Sequence, residues 1–145
     1  GALEAYASNV AAGRIAGKMI LVADVDRETV TQLRQRAIKS AHMDGSTRKY
    51  ILRHDDLARA WRSPIAGITF IPAANLDEQT VLSRFGEPAE RIRADARIEH
   101  FLYPDKGLDL ALDSKGKEVL QYVAPRQFAR LRKPLIKATS STRGP

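Results

Sequence analysis

The apolar and polar positions in the first half of the chain follow two different patterns. Apolar residues recur at helical spacing in some segments and form short continuous runs in others, which predicts a mixture of helices and strands. The predicted helices cover residues 2–17, 27–42 and 53–64, and the predicted strands cover residues 18–23, 50–52 and 65–72. The signal is clearest in 27–42, where the apolar side chains form one stripe and the basic side chains lie outside it.

The second half of the chain has stronger local signals. A helix that begins at Asn75 or Asp77 should end at Gly86, because glycine suits the closing position and Pro88 cannot continue the helix. Leucine then occupies every second position over residues 108–112, the period of a strand with one buried face. The predicted strands cover residues 98–103, 108–113 and 119–123, with one more near 91–95, and Gly-containing turns separate them.

These elements predict the fold class α+β. We expect the helices to pack on one face of an antiparallel sheet, with a C-terminal helix followed by a meander of three or four strands. Residues 1–132 should form a single domain, in which residues 76–123 are the helix and meander unit. From residue 133 onward the sequence is basic and rich in Ser and Thr, which predicts a disordered tail over residues 133–145.

The distribution of charge adds information about partners. The chain of 145 residues has a formal net charge of +7, and residues 27–62 hold nine Lys and Arg against four Asp and Glu. A basic segment of this kind favours an anionic partner, which can be nucleic acid, anionic lipid or an acidic protein surface. The residues that we expect to contact such a partner are Arg34, Arg36, Lys39, Arg48, Arg53, Arg59 and Arg62.

Signatures of catalysis and metal binding are missing from the sequence. The chain has no Cys, no GxSxG nucleophile motif and no glycine-rich phosphate loop. The run His54-Asp55-Asp56 contains residue types that bind metals, but we interpret it as the acidic start of a helix. We therefore expect no catalytic residue, no metal site and no cofactor, and we expect that the protein is not an enzyme.

Three stretches of the second half follow one another in an informative order. They are "LDEQTVLSRFGEPAERI", "HFLYP" and "DLALDSKGKEVLQYV", so a helix that ends in a Gly-x-Pro turn precedes an aromatic-x-Tyr strand, a hydrophobic strand and a Val-bearing strand. In this order, residues 76–123 resemble the small outer-membrane lipoproteins of the SmpA/OmlA type, the BamE-like group. The resemblance implies an α+β fold, an envelope location and a scaffolding role without catalysis.

Pattern, charge and resemblance together predict a non-catalytic protein-binding or scaffold domain of a bacterial envelope protein, either periplasmic or membrane-anchored. Its partner would be another envelope protein or an anionic membrane surface, with Phe101 and Tyr103 as contact residues on an exposed sheet face. Core packing of these two side chains is the alternative. A second hypothesis is a cytoplasmic nucleic-acid-binding module that uses the basic segment 34–62. Because the sequence starts with Gly1 rather than Met, we expect a native segment upstream of it.

Overall fold

The computed structural model describes residues 2–12, 14–43, 45 and 48–142, and within them the chain forms nine strands and four helices. In chain order these are β1 (Glu4–Ala12), β2 (Ile15–Ala23), α1 (Arg27–Arg36), β3 (Lys39–His42), β4 (Arg48–Ile51), α2 (His54–Trp61), β5 (Ile65–Pro72), α3 (Glu78–Phe85), β6 (Glu90–Arg93), β7 (Ile98–Tyr103), β8 (Leu108–Asp113), β9 (Glu118–Tyr122) and α4 (Ala129–Thr142). Single turns of 3-10 helix cover Pro104–Lys106 and Pro125–Gln127.

The strands form a large sheet and a small one. Among the described residues, seven strands make one sheet in the order β1-β2-β5-β9-β8-β7-β6, and β3 pairs with β4 in a separate two-stranded sheet. From β5 to β6 the pairing is antiparallel throughout, so that Phe70 lies opposite Leu120 and Phe101 lies opposite Leu110. Side chains at every second position of a strand point to the same face of the sheet. This register therefore brings the apolar residues of neighbouring strands together on one continuous face.

Close packing divides the chain, as far as it is described, into two compact units. The hairpin unit consists of the residues up to Glu4 and of Val22–Ala66, and it contains α1, β3, β4 and α2. The sheet unit consists of Ala5–Leu21 and the residues from Gly67 onward, and it contains α3, α4 and the strands from β6 to β9. The sequence predicts one domain over residues 1–132, so this division is a finding of the structure.

The sheet unit has a hydrophobic core on each face of its sheet. Helix α3 covers one face, where Val81 packs against Phe101 and Leu110. Helix α4 covers the other face, where Leu131 packs against a core that includes Leu102. Phe101 and Leu102 are neighbours along β7 and therefore point to opposite sides of the sheet. The two helices consequently lie on opposite sides as well.

The predicted fold class is wrong in its architecture. The sequence predicts helices on one face of the sheet and, in the C-terminal part of the domain, a helix followed by a meander of three or four strands. In the described residues the sheet has seven strands, helices cover both of its faces, and the last element is helix α4. The predicted disordered tail is replaced by this helix over residues 133–142, since Leu131 and Leu135 lie one turn apart and pack on the core. Residues 143–145 lie outside the described residues.

The predicted helix over residues 2–17 is also wrong, because this segment forms β1 and the beginning of β2. Alanine favours helices, but Ile15 and Met19 lie on the same face of β2 and pack against the core of the sheet unit. Between them, Gly17 lies so close to Phe70 that an added Cβ would stand 2.8 Å from the ring. Pairing and packing with residues far away in the sequence therefore override the local helix preference.

The predicted helix over residues 27–42 is too long. Helix α1 ends at Arg36, and residues 39–42 instead form β3, in which Lys39 lies opposite Ile51. The turn signal Asp44-Gly45, which follows this predicted helix in the sequence, includes Asp44, and Asp44 lies outside the described residues. Elements that carry local start and stop signals were predicted correctly, and these are α2, α3, β5, β7 and β8.

Candidate functional site

Phe101 and Tyr103, the predicted contact residues, are buried in the core of the sheet unit. Phe101 is 1% exposed, and the guanidinium carbon of Arg91 lies 4.4 Å from the centroid of its ring. Tyr103 packs in the same cluster, and burial raises the pKa of its phenol. Both side chains belong to the face that helix α3 covers. The structure therefore shows core packing, the alternative interpretation, and not the predicted exposed contact site.

The seven basic residues predicted to contact an anionic partner all lie in the hairpin unit, and all are exposed. They occupy the last turn of α1, both strands of the small sheet, and the last turn and both ends of α2. In chain order they are Arg34, Arg36, Lys39, Arg48, Arg53, Arg59 and Arg62. Arg36 is engaged within the unit, because its guanidinium pairs with Asp55 at 3.3 Å and with Asp56 at 3.1 Å.

A cleft of about 250 Å³ in the hairpin unit brings Arg34 and Arg48 together. Both line it beside the ring of Tyr50, whose centroid lies 5.7 Å from the guanidinium carbon of Arg34. Val30 and Leu33 supply an apolar wall. Two guanidinium groups around an aromatic ring suit a ligand that combines an anionic group with an apolar or aromatic part.

The hairpin unit also exposes large apolar side chains. Within the described part of this unit they are Ile38, Met43, Ile51, Leu57, Trp61 and Ile65. Ile38 and Ile51 are neighbours, because the N–H of Ile38 donates to the carbonyl oxygen of Ile51. Leu57 and Trp61 lie one turn apart on α2. Single exposed apolar residues are common, but neighbouring ones beside charged groups indicate an interaction surface.

Helix α2 buries a carboxylate and exposes its large apolar side chains, which is the reverse of the usual arrangement. Asp56 is only 5% exposed and pairs with Arg36, whereas Trp61 is 70% exposed and Leu57 is exposed as well. A helix normally buries its apolar stripe and exposes its carboxylates. The spacing of Leu57 and Trp61 is visible in the sequence, but the ion pair that Asp56 forms with the distant Arg36 is not. Sequence reasoning therefore missed Trp61 as a candidate contact residue.

A cross-strand pair joins His100 of β7 to Asp109 of β8. His100 Nδ1 lies 2.8 Å from Asp109 Oδ1, and both side chains are largely buried. The register places the two residues diagonally, so we interpret the pair as a stabilising contact within the sheet. At His54-Asp55-Asp56 both carboxylates pair with Arg36. Among the described residues, no group of three or more His, Cys, Asp or Glu side chains is arranged to hold a metal ion.

Comparisons with protein-family models, with curated protein sequences and with solved structures found no match to this chain. In the part of the chain that the structure describes, no helix combines the length and the apolar character needed to cross a membrane. The candidate site is chosen from the exposed side chains of the structure, and the exposed residues of α2 are its most distinctive part.

Proposed function

We propose that this chain is a non-catalytic protein-binding or scaffold domain of a bacterial envelope protein, either periplasmic or membrane-anchored. The contact surface in this proposal lies on helix α2 of the hairpin unit. It consists of the apolar residues Leu57 and Trp61 together with the basic residues Arg53 and Arg62 at the two ends of the helix. We call these four residues the α2 surface.

The exposure of Trp61 is the observation that carries this proposal. Covering a large apolar side chain stabilises a complex by roughly 1.5–3 kcal/mol, and tryptophan is enriched among the residues that dominate binding energy. Trp61 is 70% exposed on a helix whose other side buries the carboxylate of Asp56. A partner that covers Trp61 and Leu57 would remove this apolar area from water without disturbing the ion pair behind the helix.

The charge of the α2 surface favours an acidic protein partner. Arg53 and Arg62 are exposed at opposite ends of the helix, so they flank the apolar pair. Arginine is enriched at interfaces because its planar guanidinium binds carboxylates with two parallel hydrogen bonds. A partner that presents an apolar side chain between carboxylates would complement this arrangement, and opposite charges would also speed the encounter.

The envelope location rests on the resemblance of residues 76–123 to the SmpA/OmlA-type lipoproteins. The pattern that carries the resemblance lies in α3, β7, β8 and β9, which are all elements of the sheet unit. In that family such a unit has a scaffolding role, which supports a division of labour in this chain. The sheet unit supplies the stable framework, and the hairpin unit supplies the contact surface.

Affinity isolation from a bacterial envelope extract tests the proposal. The full chain, a double variant with Leu57→Ser and Trp61→Ser, and a control with Ile136→Ser are each immobilised. Ile136 is an exposed isoleucine of α4 and thus a matched apolar position in the sheet unit. We expect the unaltered chain and the control to retain the same acidic envelope protein, and the double variant to lose it. Equal retention by all three proteins would contradict the proposal.

Nucleic-acid binding is the second candidate function, and the cleft beside Tyr50 favours it. Arg34 and Arg48 can neutralise phosphates, and the ring of Tyr50 can stack on a base. This function requires retention on a nucleic-acid column that falls with rising salt and is lost when Arg34 and Arg48 are changed to Gln. An absence of retention at low ionic strength would remove this candidate.

A further inference from the structure

Helix α4 presents a row of basic side chains to solvent on the side that faces away from the sheet. Leu131 and Leu135 pack on the core of the sheet unit. Arg130, Lys133 and Lys137 lie within an arc of about 60° around the helix axis, centred roughly 150° from the two leucines. All three basic residues are exposed. The row is therefore opposite to the side of the helix that packs on the core.

Pro134 lies inside α4 but does not interrupt the row. Leu131 precedes the proline and Leu135 follows it, and both pack on the same core. The side of the helix that faces the core is therefore the same before and after Pro134. Lys137, which follows the proline, consequently stays in line with the basic residues that precede it.

Arg126 extends this row at the N-terminal end of the helix. It lies four residues before Arg130, in the turn of 3-10 helix that leads into α4, and it is exposed. The N–H of Phe128 donates to the carbonyl oxygen of Pro125, and the N–H of Leu131 donates to that of Phe128, so the backbone winds continuously into the helix. The four residues Arg126, Arg130, Lys133 and Lys137 form what we call the α4 stripe.

The α4 stripe lacks acidic neighbours along the chain. Residues 126–142 contain five Lys and Arg and no Asp or Glu. Arg126, Arg130 and Lys133 form no ion pair with a carboxylate of the described residues. Like charges one helical turn apart repel each other. An anionic partner would remove this repulsion, so the charge of the stripe favours such a partner.

Arg132, the other basic residue of α4, has a different role. Its guanidinium pairs with the carboxylate of Glu90 on β6 at 2.8 Å. This ion pair helps to hold the helix on the sheet, and it neutralises a carboxylate that lies beside the helix. The α4 stripe is thereby left as an excess of positive charge.

We propose that the α4 stripe binds the surface of an anionic membrane through the phosphate groups of the lipids. A cluster of four or more basic residues on a helix is typical of proteins that bind anionic lipid, and each such residue strengthens binding by roughly fivefold near the surface. The apolar side of α4 packs on the core, so the helix binds electrostatically and does not insert. The stripe belongs to the sheet unit, and its role is independent of the proposed role of the α2 surface.

The composition of α4 favours lipid over other anionic partners. Residues 129–142 include no aromatic side chain that could stack on a base, whereas stacking contributes much of the binding to single-stranded nucleic acid. An acidic protein would need carboxylates at fixed positions that match the row. Lipid phosphates move within the plane of the membrane, so they can adjust to the positions of the four basic side chains.

Co-sedimentation of the full chain with lipid vesicles tests the proposal. One set of vesicles contains phosphatidylcholine alone, and the other contains equal parts of phosphatidylcholine and phosphatidylglycerol, so the two sets differ in surface charge. We expect binding to the anionic vesicles only, with an affinity that falls as the salt concentration rises. Equal binding to both sets, or no binding to the anionic set at low ionic strength, would overturn the proposal.

Neutralisation of the α4 stripe measures its contribution. In one variant, the stripe residues Arg126, Arg130 and Lys133 are all changed to Gln, which favours helices about as well as Arg and Lys do. We expect this variant to bind the anionic vesicles about a hundredfold more weakly than the unaltered chain. An unchanged affinity would overturn the proposal.

A matched control removes the same charge elsewhere in the sheet unit. Its three exposed basic residues, each changed to Gln, are Arg84, Lys115 and Lys117. Arg84 belongs to α3, which covers the opposite face of the sheet from α4. We expect the control to lose less than about fivefold in affinity, because salt screens charges that lie beyond about 8 Å from the membrane. Equal losses in the two variants would overturn the proposal, since net charge alone would then explain the binding.

Two further comparisons separate this proposal from the others. The unaltered chain and the stripe variant are titrated with duplex DNA, and a stripe variant that loses DNA binding but keeps vesicle binding would overturn the proposal. The double variant with Leu57→Ser and Trp61→Ser should bind the vesicles as the unaltered chain does, so a failure of the α2 surface is distinguishable from a failure of the α4 stripe. If the stripe variant fails to fold, the two sets of vesicles and the salt dependence of the unaltered chain decide.

Discussion

The hydroxyl group of Tyr103 donates a hydrogen bond to the carbonyl oxygen of Gly86 across 3.0 Å. Gly86 is the residue that ends helix α3, and its own N–H donates to the carbonyl oxygen of Leu82 at 2.9 Å. Tyr103 is the last residue of β7, a strand on the face that α3 covers. One side chain therefore fixes the end of the helix to the end of a strand beneath it.

Tyr103→Phe should lower the free energy of unfolding by about 1 kcal/mol, the usual contribution of such a hydrogen bond. The ring packs near Phe85, with 5.9 Å between the centroids, and phenylalanine keeps that contact. The loss should therefore come from the hydroxyl group alone. Urea unfolding of both proteins measures the difference, and identical midpoints would show that the hydrogen bond does not stabilise the helix end.

Gly86→Val should destabilise the protein by roughly 1–3 kcal/mol, because Gly86 has φ +81° and ψ −170°, a conformation that side chains disfavour. No atom lies within 4 Å of an added Cβ, so the loss comes from the backbone and not from a clash. Gly86→Ala should consequently lose nearly as much as Gly86→Val. Thermal unfolding of the three proteins tests this expectation, and an unchanged melting temperature would place the helix end elsewhere.

Stability should fall with rising pH through the titration of Glu118. Burial raises the pKa of this carboxyl group above its ordinary value of 4.5. Between that value and the raised one, the folded state binds more protons than the unfolded state, so unfolding becomes easier as the proton is lost. Relative to Glu118→Gln, the unaltered chain should lose stability from about pH 4.5 upward. Unfolding curves over this pH range measure the difference, and a constant difference would contradict burial of the carboxyl group.

The elements that could be predicted from sequence are those with local signals. Asp77 accepts the N–H of Thr80 at the start of α3, and Gly86 closes its end, as the residue types indicate. The alternation of leucine along β8 identified that strand for the same reason. Residues 2–17 lack such signals, and their strands depend on packing against Phe70. Helix α4 likewise depends on the distant core residues that its leucines meet.

The candidate site was predictable only in part. Long basic side chains are almost always exposed, so the sequence was sufficient to place the seven basic residues on the surface. Phe101 and Tyr103 were predicted to be exposed, but both are buried. Alternation of residue types along a strand shows that the strand has two different faces, but it does not show whether a helix covers each face. Trp61 was missed because the spacing of Leu57 and Trp61 predicts a buried stripe, whereas the burial of Asp56 beside the distant Arg36 is not visible in the sequence.

Photo-crosslinking at residue 61 tests the central claim most directly. A benzoylphenylalanine replaces Trp61 in the chain, which is expressed in bacterial cells and illuminated. A second protein carries the same group at Ile136, an exposed apolar position of the sheet unit. We expect the group at residue 61 to form an adduct with an acidic envelope protein and the group at residue 136 to form none with that protein. Adducts only with nucleic acid, the same adducts at both positions, or no adduct at residue 61 would contradict the account.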